Sequence, residues 1–229
     1  MKKSILSLFL ICSYFVCNSQ ITLPVYQGVF YPKTVVVPPC TVKISASVSK
    51  EFMCHNLGAD TSLDPHTPVQ GIHGNYYQWG RSAIVADAST SAAAIGGWNT
   101  TAAANGAWLD GSKTANDPCP IGFRVPTKAQ WDGVIANNIV SRTGSWAFDG
   151  NFTTAIHWGP DASTKSLTLP AAGYRDYSNG ALGVRGYFAF YWSSTENSIS
   201  AADLYLNEDN AITNYSFRNY GLSVRCVSE

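Results

Sequence analysis

Six cysteines, four histidines and one short run of oxygen-bearing side chains are the residues of this chain whose types allow reactive or metal-binding chemistry. Cys12 and Cys17 lie in an apolar leader. Cys40, Cys54, Cys119 and Cys226 remain, an even set that in an exported chain favours two disulfides, with three connectivities open. Cys40–Cys54 with Cys119–Cys226 is the preferred pairing, closing a local hairpin and most of the domain. A zinc site is disfavoured because paired C-x-x-C spacing is absent. His55, His66, His73 and His157 stand in unrelated contexts, with no triad and no H-E-x-x-H pattern. His66 and His73 are near enough in sequence to share a metal, but loop histidines are ordinarily solvated or hydrogen-bonded. Asn207-Glu208-Asp209-Asn210 offers hard oxygen ligands of the kind calcium takes, and equally the side chains of a polar hairpin turn, which is preferred. The expectation is a non-enzyme without a cofactor, calcium being considered and not favoured.

Binding chemistry is richer. Between Tyr174 and Tyr220 lie seven tyrosines and six asparagines, with many serines and no lysine. Tyrosine supplies rigid contact area and Ser/Asn adaptable hydrogen bonds, as in paratopes. The competing reading is a polar sheet surface carrying cross-strand aromatic pairs. The expected ligand contacts are Tyr174, Arg175, Tyr177, Asn179, Asn197, Tyr215, Arg218 and Asn219, which fall near strand ends and loops; Trp192 is assigned to the core. In Gly74–Arg81, one of the pairs Tyr76/Gln78 and Tyr77/Trp79 is expected inside. Ser82–Asn116 is a long loop rich in Ala, Ser, Thr, Gly and Asn, which Trp98 and Trp108 are expected to tack to the body. Exposure of either tryptophan would make it a ligand contact.

The elements that must position these groups follow from pattern. Residues 1–19, with Lys2 and Lys3 before the apolar run Ile5–Val16 and small residues at Cys17-Asn18-Ser19, read as a signal peptide. Tyr14-Phe15-Val16 are bulky for a lipoprotein with acylated Cys17, so a secreted or cell-surface protein is expected without a transmembrane segment. Residues 20–39 form an extended, proline-punctuated arm, and residues 40–229 one domain. Fifteen acidic and fifteen basic residues give no net charge and no grip on nucleic acid; a glycan or an extracellular protein is the expected partner. Thr127 and Gln130 form a capping box ahead of Trp131, Val134 and Ile135, which predicts a helix over about 127–138. Thr41–Val48 and Glu51–Leu57, turning at Ser49-Lys50, and a series of later strands ending in Gly221–Val227 complete an α+β class of short antiparallel strands around one capped helix. The helix is expected to be pinned to the closing strand by a disulfide.

Six ordered segments carry a resemblance: Phe52–Gly58, Gly74–Arg81, Cys119–Thr127 with Trp131, Leu169–Arg175, Tyr191–Thr195 and Leu222–Cys226. Over residues 40–228 the chain resembles the Fibrobacter succinogenes major paralogous domain, common in exported proteins of Bacteroidetes and Fibrobacteres. The resemblance implies a C-type lectin-like fold, with a helix and the last strand bridged by cystine, and leaves molecular activity unassigned. The formylglycine-generating enzymes share that fold type and use two reactive cysteines; here Cys226 has no second thiol beside it. The Glu-Pro-Asn and Trp-Asn-Asp motifs of calcium-dependent lectins are absent. The tyrosine- and asparagine-rich tail also resembles the variable region of lectin-fold proteins diversified by retroelements. A recognition module is therefore expected, with a structural matrix component as the alternative and an enzyme last.

Overall fold

The computed structural model describes residues 40–229, so the leader expected at 1–19 and the arm expected at 20–39 lie outside the described residues. Strand β1 (Cys40–Lys43) turns into β2 (Ser49–Phe52) with Cys40 opposite Phe52. The turn is not at Ser49-Lys50 but over residues 44–48. There Ile44 N–H donates to Val48 O (2.8 Å) and the Ser45 hydroxyl accepts from Val48 N–H. A serine that bonds its own turn moves the reversal upstream.

Three sheets follow. The largest runs β10 (Leu182–Gly183), β9 (Tyr174–Arg175), β14 (Gly221–Ser223), β11 (Ala189–Asn197), β12 (Ser200–Leu206), β13 (Ala211–Phe217). Also attached to β14 is β3 (Asn75–Gln78), which pairs in turn with β4 (Ile84–Asp87). The second sheet orders β1, β2, β15 (Val227–Ser228) and β5 (Phe123–Arg124). The third is β6 (Ile139–Thr143), β7 (Ala155–Gly159), β8 (Leu167–Pro170). The expected single strand Gly221–Val227 is thus divided: β14 joins the large sheet and β15 the small one.

The helix α1 spans Lys128–Asn137. Its capping box forms as the sequence predicts, Gln130 N–H donating to Thr127 Oγ1 (3.1 Å) and Thr127 N–H to Gln130 Oε1 (2.9 Å). Trp131 and Val134 are buried and Ile135 packs beside them. Gly133, costly inside a helix, is required because a Cβ there would collide with the carbonyl of Ile44.

The described residues are mostly β, with α1 their one α-helix. The expected α+β, C-type lectin-like arrangement is therefore overturned. Only one stretch joins a capping signal to apolar residues at helical spacing; elsewhere glycine, proline and β-branched residues favour strands and loops. The ten residues of α1 cover part of one sheet face and do not make a layer of their own. On that face Trp131 and Val134 meet Tyr191, Leu204 and Leu206 of the large sheet, Ile156, Trp158, Leu167 and Leu169 of the third, and Phe52 and Val227 of the second. On the opposite face Tyr77, Trp79, Trp108, Trp192, Leu222 and Val224 form a second core roofed by the segment between β3 and α1. Both expected pairs of the Gly74–Arg81 stretch are inside, because this sheet is covered on two sides.

Both preferred disulfides are present, Cys40–Cys54 and Cys119–Cys226. The second ties the loop ahead of β5, not α1 itself, to the link between β14 and β15. The bridged cysteines are 14 and 107 positions apart. In the chain-entropy account, Cys119→Ser with Cys226→Ser should destabilise by roughly 4.7 kcal/mol and Cys40→Ser with Cys54→Ser by roughly 3 kcal/mol. Urea unfolding of the two double variants checks that order; a greater loss from the short loop would refute it.

Candidate functional site

Strand alternation places Phe188 and Phe190 ahead of Trp192 on one face, and the register sets Tyr205 opposite Phe190. From there nine rings touch in a continuous belt. Phe148, Tyr187 and Phe188 lead to Phe190 and Tyr205, and Phe190 leads to Tyr174, Tyr220, Tyr177 and Phe217. Centroid separations run from 4.3 to 6.2 Å, mostly edge to face, the geometry that aromatic quadrupoles favour. Phe148, Tyr177 and Phe217 are exposed, at 72%, 39% and 43%, and the other six rings half-buried. A run of contiguous rings with exposed members makes the belt a candidate interaction surface.

The belt frames a cleft of about 280 Å³ walled by Tyr174, Phe190, Tyr215, Phe217 and Tyr220, with Ser200 and Ser216 as polar points. Tyr220 has its hydroxyl pushed up to about 12 by burial, then by Asp176 and the neighbouring Tyr174 and Tyr177, so it stays a protonated donor. Asp203 of β12 does not line the cleft but lies on the same sheet face as Ser216, which does. It stands opposite Trp192 and Asn214 and so shares their face, as does Ser216 two residues along β13. Asp203 is fully buried, and neither carboxylate oxygen has a well-formed hydrogen bond. Burial pushes it up to about 7, opposed only by the Ser216 hydroxyl.

Of the residues expected from sequence, Tyr174 and Tyr215 line the cleft and Tyr177 stacks at its rim on Phe217 and Tyr220. Arg175 and Arg218 do not contribute. Arg175 is buried under the Tyr76 ring (5.2 Å) and donates to the carbonyls of Thr90 and Ser91. Arg218 lies on Trp79 (4.3 Å) and donates to the carbonyls of Ala103 and Ser200 and to Glu196 (3.4 Å). Their donors hold the long loop to the sheet, leaving little for a ligand. Asn219 is similarly spent, its amide donating to the carbonyls of Thr100 and Tyr177. The Asn179 side chain caps its own turn at Ala181 N–H. Asn197 is exposed at the β11–β12 turn and does not line the cleft.

Trp108 is buried and donates to Asn116 O, so it anchors the loop as expected. Trp98 is half-buried, donates to Tyr177 O and rests on Gly180, where no side chain would fit. Asn207–Asn210 is the β12–β13 turn, its Asn207 side chain accepting from the Asp209 and Asn210 N–H groups. His66 and His73 do not meet: His66 Nδ1 pairs with Thr168 Oγ1, which also pairs with His157, while His73 Nε2 pairs with Phe152 O. Phe190, Phe217, Tyr220, Ser216 and Asp203 are site residues that the sequence reading missed. The alternating Phe188/Phe190 and the lone acid within the apolar run Ala201–Leu206 were the available signals.

The six ordered segments contribute to the cores on the two faces and to both ends of the Cys119–Cys226 disulfide. The family profile of the Fibrobacter succinogenes major domain matches residues 40–228. The chain belongs to this family. No curated protein and no solved structure matches it. The family match spans the whole of the belt from Phe148 to Tyr220, so the cleft is part of the Fibrobacter succinogenes major domain itself.

Asp203 has a pH signature of definite sign. Its folded value, about 7, is above the ordinary 3.8, so its protonated form stabilises the fold fully at low pH and that contribution is lost as pH rises toward 7. Buried His73 and His157, pushed down to about 4, act oppositely: their contribution is lost as pH falls from about 6.5 toward 4. Asp203→Asn removes only the first effect. The stability of this variant relative to the parent should rise between pH 5 and pH 8, by up to a few kcal/mol at about 1.36 kcal/mol per pKa unit. A melting-temperature difference that does not change with pH would refute the assignment.

Proposed function

We propose that this protein is an exported, non-catalytic recognition module that binds a glycan in the aromatic cleft of its large sheet. The belt of nine touching rings, of which Tyr174, Phe190, Phe217 and Tyr220 line that cleft, is the observation that carries the reading. Stacked rings offer flat apolar area to the C–H face of a sugar, while Ser200, Ser216 and the tyrosine hydroxyls supply hydrogen-bonding partners for its hydroxyls. A uniformly polar, patch-free surface would instead have favoured a structural matrix component. Export is supported by the leader pattern at residues 1–19 and by two disulfides, which persist in oxidising surroundings. The non-catalytic reading is supported by the use of Cys40, Cys54, Cys119 and Cys226 in disulfides, which leaves no free thiol among the described residues.

A protein ligand is the second reading. It is favoured by β13, which forms one edge of the large sheet and exposes Ile212, Tyr215 and Phe217, an edge to which an extended peptide could add.

A glycan array probed with the mature chain, with and without chelator, tests the first reading. Tyr215→Ala combined with Phe217→Ala alters two exposed walls of the cleft and is expected to preserve the fold while lowering glycan affinity at least tenfold. Chelator is expected to have no effect. Equal binding by the parent and the double variant would exclude the cleft.

A further inference from the structure

Asp203 is an anomaly that neither the fold nor simple stacking explains. Isolated carboxylates are costly to bury and are ordinarily paired or hydrogen-bonded. The salt bridges among the described residues are Lys113–Asp117, Lys128–Asp132 and Arg218–Glu196, and none reaches Asp203. Its carboxylate oxygens have no hydrogen-bond partner, and strand register sets Ser216, which lines the cleft, diagonally across from it on the same face. A hydroxyl has one donor and two acceptor positions. Rotated toward Asp203, the Ser216 hydroxyl would donate inward and leave its lone pairs facing the cleft.

The cleft therefore presents an acceptor backed by a buried carboxyl group, which an adjacent cation would ionise, and is surrounded by the rings of Tyr174, Phe190 and Tyr220. A group that only donates and carries positive charge satisfies all three features: it bonds the hydroxyl oxygen, balances the carboxylate and gains from nearby π faces. An acetamide at the same place brings a weaker donor, no charge and a bulky acetyl group. Resting on the glycan-binding reading, we infer that the cleft selects a glycan bearing a free, protonated amino group, with the amine against Ser216 and above Asp203.

The test compares an oligomer of β-linked glucosamine with its fully N-acetylated counterpart by isothermal titration calorimetry at pH 7. The parent protein is expected to bind the free-amine oligomer at least tenfold more tightly. Asp203→Asn and, separately, Ser216→Ala should each bring the affinity ratio close to one; circular dichroism verifies the fold of each, and Ser216→Ala serves if the buried variant fails to fold. Equal affinity of the parent for both oligomers, with loss in the Tyr215→Ala/Phe217→Ala variant, would overturn amine selection while leaving glycan binding in the cleft intact. Failure to bind any glycan would sink both readings. Binding of a lysine-bearing peptide but of neither oligomer would overturn this inference in favour of a protein ligand.

Discussion

The Arg225 guanidinium is the interaction on which the rest of the structure depends. It is fully buried, and its five N–H donors meet five acceptor contacts: Asn56 Oδ1 twice, and the carbonyls of Met53, Cys54 and Thr168. Burial with no carboxylate alongside holds it down to about 10, still a cation at neutral pH. The residue lies between β14 and β15, where the chain leaves one sheet for another, and Thr168 belongs to the third. One buried charge thus fixes the relation of three sheets, because leaving any of its donors unpaired would cost about 1–3 kcal/mol or more. Cys226 beside it adds the covalent tie to Cys119, and Asn56 extends the network to His73 O and the Tyr191 hydroxyl.

Arg175 and Arg218 apply the same device on the outer side of the large sheet. Each directs its guanidinium at carbonyls of the glycine- and alanine-rich loop and lies over an aromatic ring. A loop with so few apolar side chains cannot hold itself down by burial, so its backbone is held by charge-assisted bonds instead. Where the loop ends, the sheet's outer face emerges as the aromatic belt. The rings brace one another, mostly edge to face, which restricts their side-chain freedom.

Asp203 shows why an acid and a base fare differently in such a fold. A buried guanidinium can be satisfied by loop carbonyls, which have spare lone pairs. A carboxylate needs donors, and in the middle of β12 the backbone N–H groups are engaged with β11 and β13.

Much of this was legible in the sequence. The capping box at Thr127 and Gln130, the four paired cysteines, the core position of Trp192 and the tyrosine-rich tail all follow from local chemistry, which acts over a few residues whatever the surrounding fold. The pairing Cys119–Cys226 was preferred on sequence grounds, but what it joins was not legible. Nothing local signals that Gly221–Val227 divides between two sheets, since the division is made by the Arg225 contacts with residues 53–56 and 168. For the same reason Arg175 and Arg218 looked like surface binding residues: an arginine's burial depends on which carbonyls the chain brings to it. The sequence by itself determined the palette of tyrosines, serines and asparagines and the single helix. Only the tertiary structure decided that this is a mostly β domain, and that Phe190, Ser216 and Asp203 come to share a face beside the cleft that Phe217 and Tyr220 also line, because strand register sets which side chains share a face and register is fixed by contacts far apart in the chain.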